Sequence, residues 1–242
     1  MMSNKVHRIR MIAGPNGSGK STFIELLKTV VNIGFYINPD DIEASLLKKP
    51  VLHFTDFGFK TTPKQFIDFV NEKGTIGSHS FKTKIVKGVS IKNNILVINP
   101  VLVNSYTASL LADFLRIQLL KNNISFTFET VMSHPSKVDI IAKAASLNYK
   151  TYLYFVTTSQ PSVNIERIKS RIKKGGHNVS PKKTIQRFYR SIQLLPEAIK
   201  KCNRAFIFDN STSLSLIAEF KNGKNLSKSP AFKKFISKIT GI

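Results

Sequence analysis

The strongest constraint on the fold is a glycine-rich segment near the start of the chain, MIAGPNGSGKST at residues 11–22. Gly14, Gly19, Lys20 and Ser21 match the pattern G-x-x-x-x-G-K-[ST]. Glycine lets backbone N–H groups turn around phosphate oxygens, in conformations that a Cβ atom disfavours. The segment therefore predicts a loop that holds the phosphates of a nucleotide.

Each part of the loop has a predicted task. Lys20 is expected to place its ammonium group against the β- and γ-phosphates, and Ser21 to offer its hydroxyl to a metal ion. The helix that follows points the positive end of its dipole at the same oxygens. We expect ATP and Mg²⁺ as cofactors, with Ser21 as the metal-binding residue. The predicted nucleotide-binding residues are Gly14, Pro15, Asn16, Gly17, Ser18, Gly19, Lys20, Ser21 and Thr22.

The residues on either side of the loop, and the rest of the chain, alternate between strand and helix patterns. RIRMIA (8–13) predicts a buried strand before the loop, and STFIELLKTV (21–30) a helix after it. Together with the phosphate loop, this order predicts an α/β fold of the P-loop NTPase type, with three layers and a mostly parallel central sheet. Further strands are predicted at 34–38, 124–129, 150–158 and 205–210, the last of them being the final clear strand. Further helices are predicted at about 40–47, 106–121, 135–147, 162–174 and 181–194, with an interruption at Pro196.

Residues 50–104 break this alternation. Thr62, Pro63 and Gln65 predict a helix start, and residues 82–99 alternate like a hairpin with a turn near Asn93–Asn94. A length of 242 residues suits one domain with an addition. We therefore predict a single P-loop kinase-like domain at 1–242, an insertion at 50–104 and a basic C-terminal extension at 222–242. In that extension Pro230 starts a short amphipathic helix, for which docking on the domain is favoured over a membrane surface.

Composition limits the partners and the location. A net charge of +23 is compatible with nucleic acid as a substrate, or with an active site for phosphates in a lysine-rich protein. The lysines are spread along the chain, which favours the second interpretation. The single cysteine, Cys202, excludes an internal disulfide and is expected to be a small buried residue. The uncharged run 93–112 holds several asparagines and Pro100, so we expect no membrane span. MMSNKVHRIR leads directly into the first strand, and a cytoplasmic location is predicted.

Two acidic residues follow predicted strands. Asp40 lies just after the second strand, at the edge where ligands of open α/β sheets bind. A carboxylate there can accept the proton of an attacking hydroxyl or help to hold Mg²⁺. The alternative is that NPDD simply starts a helix. Glu129 ends its strand in the same way and is a candidate contact for the metal or the acceptor, the alternative being an exposed strand-end glutamate.

A basic helix is predicted in residues 164–180. At 100° per residue, Arg167, Arg171 and Lys174 lie opposite Ile165, Ile168 and Ile172. A solvated basic face gives the same pattern. However, Gly175-Gly176-His177 follows as a hinge, which is typical of a lid that brings arginines to a transferring phosphate. Arg187 is expected to add to that site or to contact an anionic acceptor.

The chain resembles the zeta-toxin family of phosphate-loop kinases, and more closely the zeta-toxin-like bacterial proteins labelled as predicted ATPases. The resemblance lies in AGPNGSGKST, FYINPDDI, FTFETVMSHPSK, YLYFVTT, NIERIKSRIKKGGHNVSPKKTIQRFYRS and RAFIFDNS. It covers residues 8–48 and 105–212, and the FETVMS and RxxxRxxxGGHxV segments are its most specific parts.

The resemblance implies a kinase whose best-known relatives phosphorylate a hydroxyl of UDP-N-acetylglucosamine. Asp40 would be the catalytic base, Lys20 a second catalytic residue, and Arg167 and Arg171 the lid arginines. Substrate contacts would come from Glu129, Thr130, His177 and Arg187. The expected partners are a small-molecule acceptor such as a UDP-sugar and a small helical antitoxin. The alternatives are a nucleic-acid-binding or polynucleotide-kinase-like protein and an ATPase without an acceptor. No Asp-Glu strand end, LSGGQ-like signature or N-K-x-D motif indicates a motor, a transporter subunit or a switch GTPase.

Overall fold

The structure is a computed structural model that describes residues 6–72, 79–173, 175 and 179–232. The strands in chain order are β1 (Arg8–Ala13), β2 (Phe35–Ile37), β3 (Val51–His53), β4 (Val89–Lys92), β5 (Ile95–Ile98), β6 (Phe126–Thr130), β7 (Lys150–Thr157), β8 (Arg204–Asp209), β9 (Ser215–Lys221) and β10 (Lys224–Lys228). The helices are α1 (Lys20–Val30), α2 (Pro39–Lys48), α3 (Pro63–Glu72), α4 (His79–Gly88), α5 (Ser105–Lys121), α6 (Ser136–Ser146), α7 (Pro161–Lys173), α8 (Pro181–Gln193) and α9 (Leu195–Lys201). The chain divides into two compact units, Met1–Gly34 with Thr127–Ile242, and Phe35–Phe126.

The first unit is built on a sheet in which β10, β9, β8, β7, β1 and β6 are neighbours in that order. β7 runs parallel to both β1 and β8, with Ala13 opposite Phe155 and Thr157 opposite Asp209. β9 and β10 complete the edge as antiparallel strands. The predicted α/β fold, a kinase-like P-loop architecture with a mostly parallel central sheet, is confirmed.

Helices bury the faces of this sheet. Phe23 of α1 packs against the rings of Tyr154 and Phe208, with ring centroids 5.6 and 4.8 Å apart. α6 and α9 also pack against β7. The β1 residues Ile9, Met11 and the Ala13 that precedes the loop are fully buried, as expected for a central parallel strand. The glycine-rich loop therefore starts from a rigid position.

The second unit contains a small antiparallel sheet in the order β3–β5–β4, together with β2, α2, α3, α4 and α5. Its core centres on Phe114 of α5, whose ring meets those of Phe54, Phe66 and Phe69 at 5.6, 5.1 and 5.2 Å. The predicted turn at Asn93–Asn94 is present, with φ values of 52° and 63°. Positive φ at two successive turn residues is what a two-residue hairpin requires.

Three predicted elements need correction. Residues 82–88 belong to α4 rather than to the hairpin, because Ile85 is buried on one side of a helix that ends at Gly88. The strand at 205–210 is not the last, since β9 and β10 follow it and join at Asn222–Gly223, both with positive φ. A further helix that was not predicted, α9, begins at Leu195 and has Pro196 in its first turn, where proline is tolerated.

The proposed boundaries of the single domain, the insertion at 50–104 and the extension at 222–242 stay predictions. Part of that extension, residues 224–228, forms β10. Phe232 is buried and packs against Phe220 at 6.0 Å, in agreement with docking rather than exposure of this segment. Phe235, Ile236 and Ile239, which continue the apolar side of the predicted helix that starts at Pro230, lie outside the described residues. Within the described ranges, no helix combines the length and the apolar character needed to cross a membrane.

Cys202 provides a test of the packing in the first unit. Its side chain is 3% exposed, and burial raises the pKa of its thiol to about 12. The thiolate is the reactive form, and at pH 8 the folded protein holds almost none of it. We expect the folded protein to resist a thiol reagent at pH 8 and the urea-unfolded protein to react at one site. Rapid reaction of the folded protein would contradict the buried position.

Candidate active site

The candidate site lies at the edge of the first unit's sheet where the parallel strands end. The loop Gly14–Gly19 follows β1, Thr158 follows β7, and Asn210 follows β8. Glu129 lies near the end of β6, the other neighbour of β1. Ligands of open α/β sheets bind beyond the carboxyl ends of the strands. The chain therefore gathers its polar strand-end residues around the predicted phosphate loop.

The three loop glycines are required by backbone conformation and by space. Their φ values are 142° at Gly14, 77° at Gly17 and 97° at Gly19. A Cβ atom would lie 1.9 Å from the Val156 carbonyl oxygen at Gly14 and 2.6 Å from the Asn164 carbonyl oxygen at Gly17. Backbone of β7 and α7 thus fills the outer side of the loop. The loop is a concave backbone cradle of the kind that suits phosphate oxygens.

Lys20 is the first residue of α1 and is held by the loop itself. Its Nζ donates to the Pro15 carbonyl oxygen at 3.0 Å and lies 3.7 Å from Glu129 Oε1. The side chains of Lys20 and Glu129 are only 6% and 13% exposed. A carbonyl oxygen and a carboxylate thus hold the ammonium group inside the loop. The arrangement therefore presents a positive charge where phosphates are expected.

The serines of the loop have different surroundings. Ser18 is fully buried, and its Oγ has no hydrogen-bond partner among the described residues. Ser21 and Thr22 are exposed in the first turn of α1, where helix N–H groups lack intrahelical acceptors. The position of Ser21 agrees with the predicted metal contact, which stays a prediction. An unsatisfied buried hydroxyl and an exposed helix N-terminus both suit a polyphosphate ligand.

Two asparagines that sequence reasoning did not select hold the loop from outside. Asn164 Nδ2 of α7 donates to the Asn16 carbonyl oxygen at 2.7 Å, and Asn210 Nδ2 donates to the Ser18 carbonyl oxygen at 2.8 Å. We call these two residues the asparagine pair. Asn164 is fully buried on the same side of α7 as Ile168. In the sequence, Asn164 is a polar residue on the apolar face of a predicted helix. This position could have identified it, because buried polar groups are almost always hydrogen-bonded.

The predicted arginines lie in α7 and α8. Arg167 is half-buried, and its Nη2 donates to the Ser211 carbonyl oxygen at 3.1 Å, beside Asn210. Arg187 is also half-buried, and its Nη1 lies 3.4 Å from Asn16 Oδ1 in the loop. Arg171 is exposed in the last turn of α7. His177, the weakest of the predicted substrate contacts by position in the motif, lies outside the described residues.

The remaining predicted residues, Thr130 and Asp40, lie at the end of β6 and in the first turn of α2. Thr130 closes β6, and its Oγ1 accepts from the Met132 N–H at 3.1 Å. Asp40 lies in the second unit, exposed in the first turn of α2, and its N–H donates to Asn38 Oδ1 at 3.0 Å. Asn38 is thus the cap of α2, which leaves the Asp40 carboxylate unneeded for capping. The structure brings the loop, Lys20, Glu129, Arg167 and Arg187 together within the first unit.

Comparison with solved structures supports the fold. A complex of AvrRxo1-ORF1 and AvrRxo1-ORF2 with sulphate ions matches with a TM-score of 0.56 at 15% identity. A structure of the same complex with ATP matches with a TM-score of 0.55, also at 15% identity. Each match covers 98% of this chain, which spans only 64% of the matched chain. No curated protein matches the chain.

The PezAT toxin–antitoxin system of Streptococcus pneumoniae matches with a TM-score of 0.50 and 13% identity, over 99% of this chain and 86% of that chain. At such identities the likeness concerns the fold. The family itself comes from a sequence model, described as zeta toxin, which matches residues 101–221. These residues include Glu129, Asn164, the basic residues of α7 and α8, and Asn210. From this match and the geometry around its phosphate loop, the chain belongs to the zeta-toxin family.

Proposed function

We propose that the chain is an ATP-dependent phosphotransferase that moves the γ-phosphate of ATP to a hydroxyl of a small anionic acceptor. The observation that carries the proposal is the buried Lys20, with Nζ 3.0 Å from the Pro15 carbonyl oxygen and 3.7 Å from Glu129 Oε1. The site combines a cation, a cradle of positive-φ glycines and a strand-end carboxylate. These groups together suit the transfer of a phosphate group. The zeta-toxin family assignment supports this choice.

The residues divide the work by charge. The loop and the N-terminus of α1 hold the β- and γ-phosphates, and Lys20 offsets the charge that spreads over the transferring group. Arg167 and Arg171 are lid arginines that neutralise the same group and exclude water. Arg187, already beside Asn16 in the loop, adds a third guanidinium. Positioning and charge neutralisation supply most of the catalysis in this class of reaction.

A magnesium ion fits the donor set of this site. The described residues contain no group of three or more His, Cys, Asp and Glu side chains that could hold a metal by themselves. Mg²⁺ in phosphate-transfer sites is usually held by one or two protein groups together with substrate phosphates and waters. Ser21 would supply the hydroxyl, and Glu129, which lies 3.7 Å from Lys20 Nζ, is a candidate for a further contact. Held there, the ion would offset negative charge on the phosphates.

We assign the acceptor contacts to Glu129, Thr130 and His177, and the catalytic base to Asp40. The position of Glu129 supports the acceptor assignment, because its carboxylate lies beside Lys20, the proposed phosphate-binding cation. Asp40 is proposed from its place after β2 and from the FYINPDDI segment. A UDP-activated amino sugar is the first acceptor to test, since its diphosphate is anionic and its sugar offers hydroxyls.

Asp40→Asn tests the base. The substitution keeps the size of the side chain and removes its ability to accept a proton. We expect ATP binding to change less than about twofold and transfer to fall about 100-fold or more, within the usual contribution of a general base. Binding is measured by calorimetry and transfer with labelled ATP. Asp41→Asn is the matched control, because Asp41 is also exposed in the first turn of α2. Near-normal transfer by Asp40→Asn would reject the assignment.

The acceptor class is tested by offering each candidate acceptor to the protein in a separate reaction. A net charge of +23 favours a polynucleotide as the second candidate, and an ATPase without an acceptor is the third. Labelled ATP is incubated with the protein and UDP-N-acetylglucosamine, RNA or DNA ends, or buffer, and then with a metabolite extract followed by mass spectrometry. Labelled sugar nucleotide supports the proposal. Label on nucleic acid ends would contradict the proposal and favour the second candidate. Label released only as free phosphate would favour the third.

The partner and location remain part of the proposal. PezAT is a toxin–antitoxin system, and AvrRxo1-ORF1 forms a complex with AvrRxo1-ORF2. We propose that this chain likewise binds a small helical antitoxin and acts in the cytoplasm. Co-purification with the product of a neighbouring small reading frame would support the partner.

A further inference from the structure

We propose that the asparagine pair, Asn164 and Asn210, is a positioning device that holds the phosphate loop in its binding conformation before any nucleotide arrives. The biological role in this inference rests on the proposed function. Its evidence is the set of contacts around the loop. Neither asparagine belongs to the glycine-lysine motif. Both reach the loop from other segments, and both hold its main chain rather than its side chains.

The contacts fix two peptide groups of the loop, Asn16–Gly17 and Ser18–Gly19, which are separated by one other peptide group. Asn164 holds the carbonyl oxygen of Asn16, and Asn210 holds that of Ser18. In a planar trans peptide the C=O and the following N–H point in opposite directions. Holding these two oxygens on the outer side of the loop therefore aims the N–H groups of Gly17 and Gly19 at its inner side. Within the described residues, neither N–H has a hydrogen-bond acceptor. Two backbone donors are thus oriented toward the place where phosphate oxygens bind.

The amide of Asn164 is itself oriented by a third residue. Thr158, which follows β7 and is fully buried, donates its hydroxyl to Asn164 Oδ1. The same hydroxyl lies 3.2 Å from the Gln160 carbonyl oxygen. Because Oδ1 accepts from Thr158, the Nδ2 of the amide must face Asn16. A chain of hydrogen bonds therefore runs from the end of β7 through α7 to the loop.

Asn210 is fixed in a similar way by its own segment. Its N–H donates to the Thr157 carbonyl oxygen at 2.8 Å, so the main chain after β8 is tied to β7. Next to it, Ser211 Oγ accepts from the Ser159 N–H at 2.7 Å, and the Ser211 N–H donates to Asp209 Oδ1 at 2.9 Å. A Cβ at Gly19 would lie 2.3 Å from Asn210 Nδ2. Glycine at this position is therefore needed for the asparagine contact as well as for backbone conformation.

The consequence for binding is energetic. A loop that must order itself on binding loses affinity to conformational entropy, whereas a loop already held open to its ligand does not. Breaking the contact also leaves the Asn16 carbonyl oxygen or the buried Asn164 amide unsatisfied. Both effects weaken the binding of phosphate without removing any group that touches it. Asn164, Asn210 and Thr158 are accordingly positioning residues and not catalytic residues.

The test uses two kinds of variant in the full-length chain. Asn164→Asp keeps volume and the acceptor for Thr158 but removes the donor to Asn16. Since it also adds a negative charge, Thr158→Val serves as the uncharged variant that frees the amide to rotate. Thr158→Ser retains the hydroxyl and is the conservative variant. Asn203→Asp is the matched control, because Asn203 Oδ1 accepts from the Thr151 N–H at 2.8 Å at the other end of β7.

We expect ATP affinity to fall about 10- to 100-fold in Asn164→Asp and at least about fivefold in Thr158→Val, from the cost of one unsatisfied buried group. Thr158→Ser and Asn203→Asp should stay within about twofold of the parent chain. Unfolding in urea is measured in parallel, and a loss of stability is expected in Asn164→Asp because this side chain is buried, whereas Asn203→Asp keeps the acceptor for the Thr151 N–H. A purely structural role of Asn164 would lower the stability of Asn164→Asp and leave its ATP affinity within about twofold of the parent chain.

A second measurement needs no nucleotide. The amide resonances of Gly17 and Gly19 are recorded in the nucleotide-free protein by NMR. They should shift or broaden in Asn164→Asp and Thr158→Val and remain in place in Asn203→Asp. Unchanged glycine resonances and unchanged affinity in the first two variants would overturn the inference. A parent chain that binds no ATP would instead defeat the proposed function, while the glycine resonances would still decide whether the loop is held in advance.

Discussion

Replacing Lys20 by alanine is expected to reduce phosphate transfer by about 100-fold or more. The ammonium group lies in the loop, bonded to the Pro15 carbonyl oxygen at 3.0 Å and 3.7 Å from Glu129 Oε1. Alanine removes the buried cation and leaves Glu129 as a negative charge beside the phosphates. Both changes disfavour the charge that develops on the transferring group. Transfer of labelled phosphate to the identified acceptor measures the loss.

Lys28→Ala is the control for this experiment. Lys28 lies on the same helix, but its side chain is 40% exposed and pairs with Glu25 at 2.7 Å on the surface. Exposed pairs of this kind contribute little to stability. We expect Lys28→Ala to transfer phosphate at the parent rate. If Lys20→Ala retained more than about a tenth of the activity, the cation would not serve the transferring group and the proposed mechanism would be wrong.

Replacing Gly14 by alanine is expected to destabilise the fold by more than about 3 kcal/mol, among the largest effects of a single substitution. The new Cβ would lie 1.9 Å from the Val156 carbonyl oxygen, at a φ of 142°. Neither side can yield, because the adjoining residues Ala13 and Phe155 are paired in the centre of the sheet. Urea unfolding followed by circular dichroism measures the effect.

Gly175→Ala separates the steric effect from the backbone effect. Gly175 also has positive φ, at 80°, but a Cβ there would meet no atom of the described residues within 4 Å. This variant should lose only about 1–2 kcal/mol, the cost of a left-handed conformation in a residue with a side chain. Equal stability of the two variants would mean that the loop does not pack on β7 as the structure has it.

Local patterns accounted for most of the elements in the first unit. β1, β7 and β8 are mostly apolar, and α1 follows a motif whose residues are consecutive in the chain. The predictions failed where two structures share one local pattern. Residues 82–88 alternate acceptably for a strand and yet form α4. β9 and β10 are polar in part and depend on pairing, β9 with β8 and β10 with β9, which a local pattern does not contain.

The candidate site shows the same division. Gly14, Lys20 and Ser21 were identified because glycine conformation and phosphate charge impose residue types at fixed spacing. Glu129 was identified as a strand-end carboxylate, but its ion pair with Lys20 joins residues far apart in sequence. Asp40 was chosen by the same reasoning, and its role as the base stays a prediction.

The sequence by itself determined the phosphate loop, the α/β class and the family, because each depends on residues close together in the chain. Only the tertiary structure decided what supports the loop. Asn164 and Asn210 contact residues that lie 148 and 192 positions away, so no spacing rule connects them to the motif. Their place is set by the parallel pairing of β1, β7 and β8, which brings three distant strand ends to one edge of the sheet. Local chemistry selects the residues that can bind phosphate, whereas long-range packing selects those that hold them in position.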